Sequence, residues 1–117
     1  MSSDRMLKRW YDRYNREFFG GELPDDVAVF WEACAAHGET FEIESSVEGE
    51  PATIGIRINP ACRTIWKGSR QGWAKLTLLH EMAHVKLWPV RGLQHHGQRF
   101  DQEIQRLCTF RSYRRLL

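Results

Sequence analysis

The pentapeptide H-E-M-A-H at residues 80–84 constrains the fold of this chain more than any other feature. Residues four apart lie on one face of a helix, so His80 and His84 can bind the same cation if this segment is helical. Glu81 then projects beside them and can hold a water without being a ligand itself. Neutral imidazoles suit Zn²⁺, and a catalytic zinc takes three protein ligands and leaves a fourth position open. The pentapeptide therefore predicts a zinc-binding helix that needs one more ligand.

The flanking sequence supports a helix rather than a chance cluster of two histidines and a glutamate. Gly72 precedes the segment and Pro89 ends it, which leaves room for about four turns. The residues with i, i+3, i+4 spacing predict an amphipathic helix with an apolar inward face; they are Trp73, Leu76, Thr77, His80, Ala83, His84 and Leu87. A packed helix of this kind holds ligand geometry better than a loop does.

The order of the other predicted elements indicates an α+β domain. A first helix, capped by Ser3 or Asp4, should run to about Phe19 and end at Gly20-Gly21. Its apolar stripe is interpreted as core and comprises Met6, Leu7, Trp10, Tyr11, Tyr14 and Phe18. Alternating or continuous apolar runs predict strands at 27–31, 40–44 and 52–58. A last helix carries Phe100, Ile104, Leu107 and Cys108 on one stripe. We expect a small, largely antiparallel three-stranded sheet packed against these helices.

Length and composition limit the remaining possibilities. The 117 residues fit one domain, spanning 1–117. No apolar run approaches the ~20 residues of a membrane span, and the start lacks the apolar segment of a secretory signal. The three cysteines form no C-x-x-C pair, which argues against a disulfide framework and a C-terminal zinc ribbon. We interpret them as reduced, mostly buried thiols of an intracellular protein, in the cytoplasm, nucleoid or nucleus.

The net charge is only +2, but acidic and basic residues are distributed unevenly along the sequence. Ten carboxylates lie between Glu17 and Arg57 without a Lys or Arg among them, and twelve Lys and Arg against three acids follow from Arg57 onward. Five more basic residues precede Glu17. If both ends share a face, that face could attract a nucleic-acid backbone. Single-stranded or irregular DNA is therefore one expected partner, with Trp66, Trp73 or Trp88 as stacking platforms. The alternative is that the arginines only solubilise the surface and the tryptophans are core.

The residues themselves leave the third zinc ligand open among His95, His96 and Glu103. A metzincin-type continuation would need glycine at position 87 and histidine at position 90, where this chain has Leu87 and Val90. His37 falls in the strand region and is expected at the surface or in a turn. Arg91 and His95 are candidates for stabilising an oxyanion, on proximity in sequence alone.

Several blocks of the sequence resemble the SprT-like (Spartan-type) zinc metalloprotease family. They are H-E-M-A-H, the H-G-Q-R-F that begins at His96, the segment from Trp10 through F-F-G-G-E-L-P, Trp31, and I-G-I-R-I-N-P at 54–60. The resemblance spans about residues 5–110. It implies a zincin-like fold and one zinc held by His80, His84 and His96, with His95 at most a neighbour of that site.

The resemblance also implies a function, namely peptide-bond hydrolysis with Glu81 as general base. The implied substrates are proteins bound or crosslinked to DNA, as in DNA–protein crosslink repair. Two alternatives remain open: a DNA-associated zinc-binding module with little proteolysis, and a gluzincin-type peptidase that uses Glu103 as third ligand. Glu81 discriminates against the first, because a structural zinc needs no general base and normally has a fourth protein ligand.

Overall fold

The computed structural model describes residues 2–63, 72–88 and 96–117. It begins with helix α1, Arg5–Phe19, whose N-cap is Asp4; the Asp4 carboxylate accepts a hydrogen bond from the Leu7 backbone N–H. Gly20 and Gly21 both have positive φ angles, 61° and 75°, which ends the helix where the sequence predicts. Most of the predicted stripe is buried, so α1 packs on the core with Leu7, Tyr11, Tyr14 and Phe18.

Three strands form one sheet in the order β1-β3-β2: β1 Ala28–Trp31, β2 Gly38–Ile43 and β3 Thr53–Ile58. The three predicted strands are confirmed, but the pairing is mixed. β2 runs antiparallel to β3, whereas β1 runs parallel to it. The expectation of a largely antiparallel sheet thus holds for one of the two pairings. The reason is that β3 inserts between β1 and β2, and strand patterns in sequence do not reveal spatial order.

Helix α2, Gly72–Leu87, carries the H-E-M-A-H segment and lies against β2, β3 and α1. The predicted stripe is only part of the face that α2 buries. Thr77, Ala83 and His84 of that stripe are buried, and Trp73 and Leu76 are half-buried against the core. Leu78, Leu79, Met82 and Val85, which lie outside the predicted stripe, are buried in the core as well. Both faces are apolar in sequence, so periodicity could not tell them apart. Four residues of the predicted stripe line the cleft beside the helix, namely Trp73, Leu76, Thr77 and His80.

The C-terminal part is two helices instead of the single predicted one. Helix α3, Gln98–Leu107, is followed at Arg111–Arg114 by a short helix, α4. A 3-10 turn at Pro60–Arg63 follows β3. All three cysteines are free, as predicted, but only Cys62 is buried; Cys34 and Cys108 are half-buried. Among the described residues, no helix has the length and apolarity needed to cross a membrane.

Candidate metal centre

Two histidines of α2 and one from the segment before α3 converge beside α2. His80 and His84 lie one turn apart on α2, and His96 lies just before α3. One ring nitrogen from each can be chosen so that all three lie within 4.8 Å of one another, and the Nε2 atoms of His80 and His96 are 3.0 Å apart. Tetrahedral zinc with Zn–N bonds of ~2.05 Å separates its donor nitrogens by roughly 3.3 Å, so this cluster needs only small adjustments to hold such an ion.

The chemical state of His80 also fits a metal ligand. Burial, and secondarily the neighbouring His96, lowers the pKa of His80 to about 4. The imidazole is therefore neutral near pH 7, and neutral imidazole is the form that binds a metal. The three-histidine set could hold a metal ion, and its nitrogen donors suit zinc among other transition metals.

Phe100 explains how the H-G-Q-R-F segment supports this cluster. Its ring stacks on the His84 ring at a centroid distance of 4.4 Å and on the His96 ring at 4.6 Å. It also contacts the His80 ring at 4.8 Å. Phe100 is 5 % exposed and lies in the first turns of α3. One buried aromatic ring therefore packs against all three imidazoles and restricts their rotation.

Glu81 is a buried carboxyl group at the edge of the cluster, with 5 % of the residue exposed. Its Oε2 atom lies 3.9 Å from Nε2 of His80, so one carboxylate oxygen faces the histidines without belonging to the set. Burial raises the pKa of this carboxyl to about 7, partly opposed by a hydrogen bond from Thr40. A carboxyl group with this pKa can take up and release a proton near neutral pH.

Strand β2 forms the opposite wall of the site, and the sequence alone did not single out its residues. Thr40 is 2 % exposed, and its hydroxyl donates a hydrogen bond to Oε1 of Glu81 at 2.9 Å. Gly38 lies so close to α2 that a Cβ there would be 2.7 Å from Thr77 Cγ2 and 3.2 Å from Glu81 Cγ. These residues are visible in sequence only as members of a strand, because their role depends on the approach of β2 to α2.

Glu103, the rival candidate for third ligand, is engaged elsewhere. Its carboxylate is 3 % exposed and pairs with Lys86 of α2, at 2.6 Å to Oε2, and with Nε of Arg106. The group of metal-binding side chains that the described residues form contains His80, His84 and His96, and Glu103 is not part of it. Glu103 thus joins α3 to α2.

The histidine cluster opens into a groove of about 750 Å³. A smaller hollow of about 210 Å³ lies directly at the three histidines, between them and the start of β2. The groove extends from His80 and Glu81 along α2 and α3, and its apolar lining includes Trp73, Leu76, Phe100, Ile104, Tyr113 and Leu117. A chain segment could therefore reach the histidines from solvent.

Other residues considered from sequence fall outside this site or outside the described residues. His37 is exposed, as expected, and its ring contacts Trp73 edge-on at 5.1 Å. Trp88 is half-buried and donates to Glu42 at 3.2 Å. Arg91, His95 and Trp66 lie outside the residues that the structure describes, so their predicted roles stay predictions.

Comparison with known proteins gives one family assignment. The model of the SprT-like family matches residues 7–114, which is nearly the whole chain. No curated protein matches the sequence. The matched range includes α2, His96, α3 and the sheet, together with all but the first two residues of α1.

Proposed function

The chain belongs to the SprT-like family, and from that premise we propose that it is a zinc-dependent metalloendopeptidase. The observation that carries the proposal is the position of Glu81 beside three convergent histidines, with one oxygen facing them. We assign His80, His84 and His96 as the zinc ligands, one zinc per chain, and Glu81 as the catalytic base. Zinc at such a site supplies Lewis-acid chemistry, which acidifies water and polarises a carbonyl group.

The residues of the chain account for the proton transfers that peptide hydrolysis requires. Glu81 takes a proton from the attacking water through the oxygen that faces the histidines, and then delivers it to the leaving amine. Burial raises the pKa of this carboxyl above the range of an exposed glutamate, which makes the carboxylate a stronger base toward water. The groove beside the site gives a polypeptide access to Glu81.

Two features argue against the alternative functions. A gluzincin-type peptidase would require Glu103 as ligand, but Glu103 is held by Lys86 and Arg106. A zinc-binding module without proteolysis would have no need for Glu81, yet the fold buries this carboxyl and so raises the free energy of its charged form. A buried carboxyl group beside three convergent histidines fits a role in the reaction.

For the substrate, we propose proteins bound to or crosslinked to DNA. The support is the segregation of charge along the chain, in which ten of the 15 acids lie in residues 17–50 and all 17 basic residues lie before residue 17 or after residue 56. Such a distribution favours electrostatic attraction to phosphate backbones.

A digestion assay tests the proposal directly. Casein or histone should be cleaved by the zinc-loaded protein, activity should disappear when EDTA removes the metal, and one equivalent of zinc should restore it. Single-stranded DNA should be present in one arm and absent in the other. Hydrolysis that persists after elemental analysis shows the metal to be gone would contradict the proposal, as would no hydrolysis in either arm.

A further inference from the structure

Thr40 is buried in β2, and its hydroxyl contacts Glu81 of α2. Its hydroxyl donates toward Oε1 of Glu81 at 2.9 Å, with the backbone carbonyl of Glu81 as a second acceptor at 3.2 Å. The shorter contact is to the carboxylate, which forms the stronger type of hydrogen bond when it is ionised. Thr40 is 2 % exposed and Glu81 is 5 % exposed, so water has little access to compete for this bond.

The two oxygens of the Glu81 carboxylate consequently have different surroundings. Oε1 is held by the Thr40 hydroxyl, and Oε2 lies 3.9 Å from Nε2 of His80. A carboxylate attached through a flexible side chain can rotate, and rotation would exchange the two oxygens or turn both away from the histidines. A single donor on one oxygen fixes the rotation and leaves the other oxygen directed at the place where water must be deprotonated.

We propose that Thr40 is a positioning residue for the general base: its hydroxyl holds Oε1 of Glu81 so that Oε2 faces the three-histidine cluster. This inference rests on the proposed function, since it specifies how the base of that reaction is oriented. Thr40 acts through Glu81 and needs no contact with substrate or metal. The hydroxyl is the part that matters, because it is the group that donates to the carboxylate.

Removal of the Thr40 hydroxyl tests the proposal, because a positioning residue should affect kcat and leave KM nearly unchanged. Thr40→Val keeps the branched shape and should lower kcat by about 10- to 100-fold, the usual effect of losing a group that orients a residue at a metal site. KM should stay within about twofold, because the contact is not to substrate, and bound zinc should be unchanged. Thr40→Ser keeps the hydroxyl and should restore kcat to within a few-fold of wild type.

Thr53→Val is the matched control. Thr53 is a half-buried threonine of β3 that pairs with Ile43 at the end of the sheet away from Gly38, and it lines neither the groove nor the hollow at the histidines. This control should leave kcat nearly unchanged. If Thr40→Val does not fold, Thr40→Ala and Thr40→Ser make a second pair that differs by the hydroxyl alone.

The outcomes separate the two proposals. A wild-type protein that digests casein, together with a hydroxyl-free variant that has wild-type kcat, overturns the positioning role and leaves the protease assignment intact. A drop in kcat that the serine variant shares equally would also overturn it, because packing would then be the cause. A zinc-loaded wild type without hydrolytic activity would overturn both.

Discussion

At the scale of single residues, the site depends on groups whose burial sets their protonation. Burial lowers the pKa of His80 to about 4 and raises that of Glu81 to about 7. Both shifts disfavour the charged form, as expected where water is excluded. The result is a neutral imidazole that can bind a metal beside a carboxyl that can exchange a proton near neutral pH.

The ligand set gives the first prediction. His80→Ala, His84→Ala and His96→Ala should each lose most of the roughly one zinc per chain that the purified protein should hold, because two histidines alone bind zinc poorly. Elemental analysis of the purified variants measures this. His37→Ala is the control and should keep its zinc, since His37 is exposed and lies outside the cluster. Full occupancy in His96→Ala together with loss in Glu103→Ala would mean that the ligand assignment is wrong.

Some residues of the site could be predicted from sequence and others could not. His80, Glu81 and His84 follow from helical spacing, which is a local property of the chain. The residues themselves left His96 open against His95 and Glu103, and resemblance to a family favoured it. Thr40 and Gly38 were missed because they belong to the site only through the approach of β2 to α2. No local pattern encodes a contact between residues that are 41 positions apart.

At the scale of elements, the orientation of α3 relative to α2 brings His96 to the other histidines. Phe100 and the Lys86–Glu103 ion pair both lie between these helices. The carboxylate of Glu103 is almost fully buried, whereas about a third of each partner side chain, Lys86 and Arg106, is exposed. Glu103 is therefore engaged as an anchor between the helices and lies outside the three-histidine group.

The role of Glu103 can be tested with a substitution that keeps the shape of the side chain and removes its charge. Glu103→Gln should lower the free energy of unfolding by about 1–2 kcal/mol, the range for losing a charged hydrogen-bond partner whose counterparts remain partly solvated. The zinc content should stay at the wild-type value. Denaturant unfolding and elemental analysis of the same sample provide both numbers. Loss of zinc with unchanged stability would instead point to a ligand role for Glu103.

Sequence patterns predicted the number and type of elements well but not their arrangement. All three strands, α1 and α2 are where local periodicity and glycine signals indicate. The parallel pairing of β1 with β3 and the core-facing side of α2 were not predictable, since both depend on tertiary contacts between elements distant in sequence. The α3–α4 division was also missed, because the break at Cys108–Phe110 carries no glycine or proline.

At the scale of the whole molecule, charge segregation leads to a prediction about DNA. Binding to single-stranded oligonucleotides should show little sequence preference, because phosphate contacts carry none. A several-fold rise in salt should weaken the affinity by at least about tenfold, through release of counterions. A titration followed by fluorescence anisotropy measures both properties. Absence of binding even at low ionic strength would show that these residues do not target DNA.

The central claim is that Glu81 serves as the base of a metal-dependent peptide hydrolysis. The most direct measurement compares casein turnover by wild type and by Glu81→Gln, each shown to be folded and to carry the same zinc. An amide cannot take the proton from water, so turnover by the variant should fall below detection while its zinc content is unchanged. Turnover by Glu81→Gln within a few-fold of wild type would contradict the account.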